Sequence, residues 1–154
     1  MESGLSRIHV TDDGDLTIIE ILRVEHRVLR ELMATMERWL LDRVSSDALR
    51  ERTAMLEVAL DTHATREEQW LFASLRTHSE AARHLVENME IVHDEVRALF
   101  EQIAESSDPT SDLWTVLQIT EEHFRVEERD LFPLAESLME RSELLRSEAQ
   151  NENR

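Results

Sequence analysis

Four histidines and two glutamates recur at spacings that could hold metal ions: His26, His63 with Glu67, His93, and His123 with Glu127. Within each His–Glu pair the residues stand four apart. Helix positions i and i+4 differ by only about 40° in direction, so each histidine and its glutamate point the same way. Imidazole nitrogens and carboxylate oxygens, without sulfur, suit iron, manganese or zinc.

Long helices are the elements that would bring the six together. Only two glycines and two prolines interrupt 154 residues, at Gly4, Gly14, Pro109 and Pro133. The first helix is predicted over about 16–43 with Asp15 as its cap. Along it Ile19, Leu22, His26, Leu29, Met33, Met36 and Leu40 step by three and four, an unbroken inward seam. The second, about 47–76 after Ser45 and Ser46, carries Leu49, Thr53, Leu56, Leu60, His63, Glu67, Trp70 and Ser74. Thr77 with Glu80 suits a capping box for a third helix over about 79–105. Its seam is Val86, Met89, His93, Val96, Phe100 and Ile103.

Asp108 and Pro109 open the fourth helix, whose seam is Leu113, Val116, Thr120, His123, Glu127, Leu131 and Leu134. Pro133 lacks an N–H and crowds the Arg129 carbonyl, which predicts a kink or an early end. The expected fold is all-α: an up-down-up-down four-helix bundle over about 16–140. It forms a single domain in 1–154, with a flexible arm at 1–14 and a fraying tail at 141–154.

The helices repeat in pairs. VEHRVLREL (24–32) resembles IVHDEVRAL (91–99), setting His26 on His93, Leu29 on Val96 and Arg30 on Arg97. HATREEQWLF (63–72) resembles HFRVEERDLF (123–132), with His, two consecutive Glu, Leu and Phe in register. A pseudo-twofold axis is therefore expected to relate the two helix pairs.

All six polar residues lie where leucines belong. A single inward histidine is most often an ordinary hydrogen-bonded core residue, and an isolated His-x-x-x-Glu arises by chance on acidic helices. Four histidines and two carboxylates on four seams, in duplicate, are another matter. A buried carboxylate without a partner costs several kcal/mol (roughly) or takes up a proton. The chain has no lysine and few arginines near these seams, so a pair of metal ions is the expected source of positive charge. Glu68 and Glu128, at +5 from the histidines, fall about 140° away and read by default as solvated surface; the other readings are that they support the ligands from outside, or replace one where a helix is locally unwound. His9, His78 and His84 read as solvent-facing, and Trp39, Trp70 and Trp114 as packing.

Composition excludes other classes. With no cysteine, disulfide frameworks, iron–sulfur clusters and thiolate zinc sites are out. A net charge of −17 repels phosphate backbones, so nucleic acid is not an expected partner. No apolar run matches a membrane span and the first residues lack a signal-peptide layout, so a cytoplasmic protein without membrane attachment is expected.

The order His, His-x-x-x-Glu, His, His-x-x-x-Glu, with EE-x-x-LF continuations at Glu67 and Glu127, resembles the hemerythrin-like (HHE) cation-binding domain over about 16–140. That resemblance implies a four-helix bundle holding two iron ions, joined by an oxo or hydroxo bridge, with manganese or zinc as other candidates. His26, His63, His93 and His123 would be terminal ligands, and Glu67 and Glu127 would bridge. The oxygen-carrying hemerythrins have a fifth histidine four residues from another on the third helix; here Met89 and Arg97 flank His93 at that distance. They also place their last carboxylate at +5, the position of Glu128, so Glu127 and Glu128 both stay open as the fourth-helix bridge.

Without the fifth histidine both metals have open positions, which favours reaction with hydrogen peroxide or nitric oxide over reversible oxygen storage. The expected function is binding of, and reaction with, O2, NO or H2O2 in oxidative or nitrosative stress. The other readings are a sensing or storage module without turnover, and a protein similar to the iron–sulfur cluster repair proteins. The chain would work as a monomer or homodimer with a reductant or partner protein.

Overall fold

In the computed structural model, which describes residues 15–145, every regular element is helical. In chain order these are α1 (Ile18–Leu41), α2 (Ser46–Glu67), a π-helical turn π1 (Glu68–Phe72), α3 (Ala73–Leu75) and α4 (Glu80–Glu105). They are followed by α5 (Thr110–Val126), a second π turn π2 (Glu127–Leu131), α6 (Phe132–Leu138) and α7 (Arg141–Leu144). α2, π1 and α3 run on without a break, as do α5, π2 and α6, so the helical tracts lie close to those expected from the seams. α1 packs against α2 and α5, and α4 packs against the same two. No described helix is long and apolar enough to cross a membrane.

The caps differ in detail from expectation. Thr17, not Asp15, caps α1: its hydroxyl accepts from the Glu20 N–H at 3.2 Å while the Glu20 carboxylate accepts from the Thr17 N–H at 2.7 Å. Ser79 caps α4 by accepting from the Ala82 N–H at 3.0 Å. Thr77 instead donates to the Ser74 carbonyl at 2.7 Å, closing the preceding turn. Ser45 caps α2, and Asp108 accepts from the Thr110 N–H just before α5. At the end of α1, Arg43 takes φ 52°, and the Val44 and Arg43 N–H groups reach back to the Trp39 and Leu40 carbonyls. This left-handed closing turn is one that glycine favours.

The core falls into two apolar clusters. One gathers Ile18, Leu22, Phe72, Val86, Leu131 and Phe132 with their neighbours. The other gathers Leu29, Met36, Leu56, Phe100, Val116 and Phe124 with theirs. The inward seams of α1 and α4 follow the expected residues, except that Val96 is half-buried.

Beyond Glu67 and Glu127 the pattern changes. Trp70 and Ser74 are only half-buried, and Leu71, Phe72 and Leu75 take the core positions; on the fourth tract Ala135 replaces Leu134. The π turns are the cause. The Ala73 N–H bonds the Glu68 carbonyl and the Phe132 N–H bonds the Glu127 carbonyl, each five residues back, and the extra residue rotates the next stretch of helix about its axis. Pro133 neither ends the helix nor alone explains the irregularity, because π1 repeats it where the matching residue is Ala73.

The segment after 140 departs from a simple fraying tail. α7 is helical there and buries Leu144 against the first cluster. The expected arm at 1–14, with His9, and the tail at 146–154 lie outside the described residues.

Candidate metal centre

Between the two apolar clusters lies one polar layer. His26, Glu67 and Glu127 are 0 % exposed, and His63, His93 and His123 are also buried. α1 supplies His26, α2 supplies His63 and Glu67, α4 supplies His93, and α5 supplies His123 with Glu127 at the first residue of π2. All six sequence-predicted residues come together. Their donor atoms form two groups within 4.8 Å, His26–His63–Glu67–Glu127 and Glu67–His93–His123–Glu127, which share both carboxylates.

Each carboxylate spans the two histidine pairs. Glu67 Oε1 lies 3.2 Å from His63 Nε2 and its Oε2 lies 3.3 Å from His93 Nε2. Glu127 Oε1 lies 2.9 Å from His123 Nε2 and its Oε2 lies 3.2 Å from His26 Nε2. Within each pair the Nε2 atoms face one another, 3.1 Å apart for His26 and His63 and 2.9 Å for His93 and His123. None of the four carboxylate oxygens has a hydrogen-bonding donor.

Buried acceptors without donors are costly, and native proteins satisfy nearly all of them. Ring nitrogens and carboxylate oxygens converging in this way need positive charge among them, as protons or as metal ions. The donor set therefore fits two cations.

The metal-free chain expresses the same demand through its protons. Burial pushes the His26 imidazole down, but the Glu127 and Glu67 carboxylates outweigh it and hold the group up at about 9. Burial likewise opposes His63 and His93, yet Glu67 raises both. Burial pushes the Glu67 carboxyl up, and the facing His63, His26 and His93 hold it well below the usual carboxylate range.

Three of the four outer nitrogens are held by acids; two of these, Glu68 and Glu128, read first as solvated surface, with support of the ligands as the other reading. Glu128 Oε1 lies 2.9 Å from His26 Nδ1, and Glu68 Oε1 lies 2.8 Å from His93 Nδ1. Both acids sit in the π turns, whose altered phase swings a +5 residue towards the neighbouring helix. Each is gripped by an arginine: Arg30 donates to both Glu128 oxygens and to Glu121, and Arg97 donates to both Glu68 oxygens and to Asp61. Burial pushes the Glu128 carboxyl up, and the Arg30 and His26 contacts outweigh it and hold the group down. The matched Arg30 and Arg97 of the sequence repeat were the available signal for this support. His63 Nδ1 bonds Glu25 at 2.7 Å, and Glu25 pairs with Arg66. A carboxylate on Nδ1 fixes the ring and turns the Nε2 lone pair inward, the arrangement typical of metal-bound histidine.

Phe132 lies over His26 and Phe72 over His93, at centroid distances of 5.4 and 5.6 Å. His84 is exposed as expected, whereas His78 is half-buried and pairs with Glu143 at 3.3 Å. The three tryptophans pack partly buried against the two clusters.

A helical chain with this duplicated His–Glu layer is one built to bind cations. The hemerythrin HHE cation binding domain matches residues 17–135, and the chain belongs to that family. No curated protein and no solved structure matches the chain.

Proposed function

We propose that the protein is an up-down-up-down four-helix bundle carrying a non-haem di-iron centre that binds and reacts with O2, NO or H2O2 in oxidative or nitrosative stress. The observation that carries this reading is the pair of fully buried carboxylates, Glu67 and Glu127, each reaching from one histidine pair to the other with no donor on any oxygen. Contacts of α1 with α2 and α5, and of α4 with α2 and α5, support the bundle topology.

In this reading His26 and His63 would hold one iron, His93 and His123 would hold the other, and Glu67 and Glu127 would be shared by both. Glu127 is the preferred bridge over Glu128, since Glu128 is engaged with His26 Nδ1 and Arg30 on the outer side. A bound iron pair supplies open coordination positions and changes of oxidation state to a small ligand. Glu128, Glu68 and Glu25 keep the rings oriented and their outer protons in place, and the two apolar clusters lie on either side of the layer.

Metal analysis with a visible absorption spectrum tests this: about two irons per chain and a band from the bridged pair are expected. Addition of peroxide, then of nitric oxide, should change that spectrum. A protein supplied with iron that retains none would overturn the reading, and a reversible response to oxygen with nothing consumed would favour carriage or sensing instead.

A further inference from the structure

The two halves of the molecule differ on one side of the polar layer. A cavity of about 420 Å3 opens between α2, α4 and α5 and is bordered by His63, His93 and His123, but not by His26. A water occupies about 30 Å3, and small-molecule sites run from about 300 to 1,000 Å3, so this space exceeds the needs of a diatomic ligand or peroxide. The groove on the opposite side, between α1 and α5, touches none of the six polar residues.

Sequence explains the asymmetry. The repeat that sets His63 on His123 sets Ala64 on Phe124, and the one that sets His26 on His93 sets Glu25 on Val92. In one half the Phe124 ring stacks on His26 at 4.0 Å and closes the space. In the other, His93 has the Phe72 ring but Ala64 provides no second one to match Phe124, and the space remains. Val92 in place of an acid also leaves His123 Nδ1 as a buried atom with no hydrogen-bond partner, unlike the Nδ1 atoms of the other three histidines.

A second polar atom there is unpaired. Thr35, Thr53, Thr62 and Thr115 each donate to the carbonyl four residues back. Thr120 is 4 % exposed and its hydroxyl has no partner, although it lines the cavity one turn before His123. The remaining inner wall is apolar, from Leu60, Ala64, Val96, Phe100 and Phe124. At the rim, Glu57, Asp61 and Glu101 outnumber Arg97, whose guanidinium is already held by Asp61 and Glu68.

We propose that this cavity binds a small, neutral, mainly apolar organic molecule bearing one hydroxyl or hydroperoxyl group, whose oxygen meets Thr120 Oγ1 and His123 Nδ1. Its apolar part fills the space that Ala64 leaves open, and the acidic rim disfavours anions. The inference rests on the di-iron reading only for what the molecule would face; His63, His93 and His123 border the pocket, and the rest of its wall comes from residues outside the six.

Titrating the full-length protein, as purified and after iron loading, with 2-phenyl-2-propanol tests it by calorimetry and ligand-observed NMR. Binding at about millimolar Kd is expected from a ligand of this size. Ala64→Phe should weaken it by at least about tenfold through overpacking, and Thr120→Val by about fivefold through loss of one hydrogen bond. The 2-phenylpropanoate anion should bind at least about tenfold more weakly than the alcohol, from repulsion at the rim. No binding by the parent protein, equal binding of the anion, or unchanged binding by a folded Ala64→Phe chain would overturn the proposal. If Ala64→Phe does not fold, the near-isosteric Thr120→Val decides: unchanged affinity overturns it. A chain that binds the alcohol yet holds no iron would sink the di-iron reading alone.

Discussion

His26 Nδ1 lies 2.9 Å from Glu128 Oε1, and the same carboxylate is clasped by Arg30, so the ring is anchored from outside the layer it faces. Glu128→Ala and Glu68→Ala should therefore retain two metal ions per chain but lower metal affinity about 10- to 100-fold, as loss of a ligand's supporting acid does. Competition with a chelator of known affinity measures this. Complete loss of metal from Glu128→Ala, with Glu127→Ala still loaded, would exchange the roles of the two acids.

Glu67 has the opposite signature, since both its oxygens face the histidine pairs. Glu67→Ala or His63→Ala should abolish loading of the pair and remove the stabilisation that metal gives, about 4 kcal/mol when the ion exceeds its Kd a thousandfold. Melting with and without added iron reads this directly. A fully metallated and equally stable Glu67→Ala chain would strike that residue from the set.

Removing the metal should expose a pH dependence. His26 in the metal-free fold is held up at about 9, above the ordinary value of 6.5, so its stabilising contribution is complete below about 6.5 and fades as pH rises through about 9. Metal must displace that proton, so metal affinity should instead climb over the same range, about tenfold per pH unit for each proton released. The chelated protein should thus lose Tm between pH 6.5 and 9 while the loaded protein does not. A chelated Tm that rises across this window would contradict the assignment.

Much of the fold and of the centre was legible in the sequence, for identifiable reasons. Seams of α1 and α4 could be read residue by residue because nothing disturbs their period. Reading failed after Glu67 and Glu127 because a π turn adds one residue to the cycle, and no local residue type marks it: Ala73 and Pro133 follow the two turns equally well. The same inserted residue is why Glu68 and Glu128 read by default as solvated, with a supporting role only as the alternative, since a regular helix would have left them in solvent. Glu25, by contrast, could not be recognised from the repeat, because its match is Val92.

Arg43 offers a test away from the centre. At φ 52° a side chain with a Cβ costs about 1–2 kcal/mol, which glycine avoids. Arg43→Gly should raise unfolding stability by about 1 kcal/mol without altering metal content, measured by denaturant titration. A destabilised variant would mean that the Arg43 side chain contributes more than its backbone costs.

Because a charged stratum separates Ile18, Phe72 and Phe132 from Leu56, Phe100 and Val116, the two oily halves of the interior have few direct ties to one another. Cations lodged in that stratum would rivet them together. Stripped of its ions, the chain should then melt in less concerted fashion, one half loosening ahead of the other, so that occupancy governs how sharply the whole molecule unfolds as well as when.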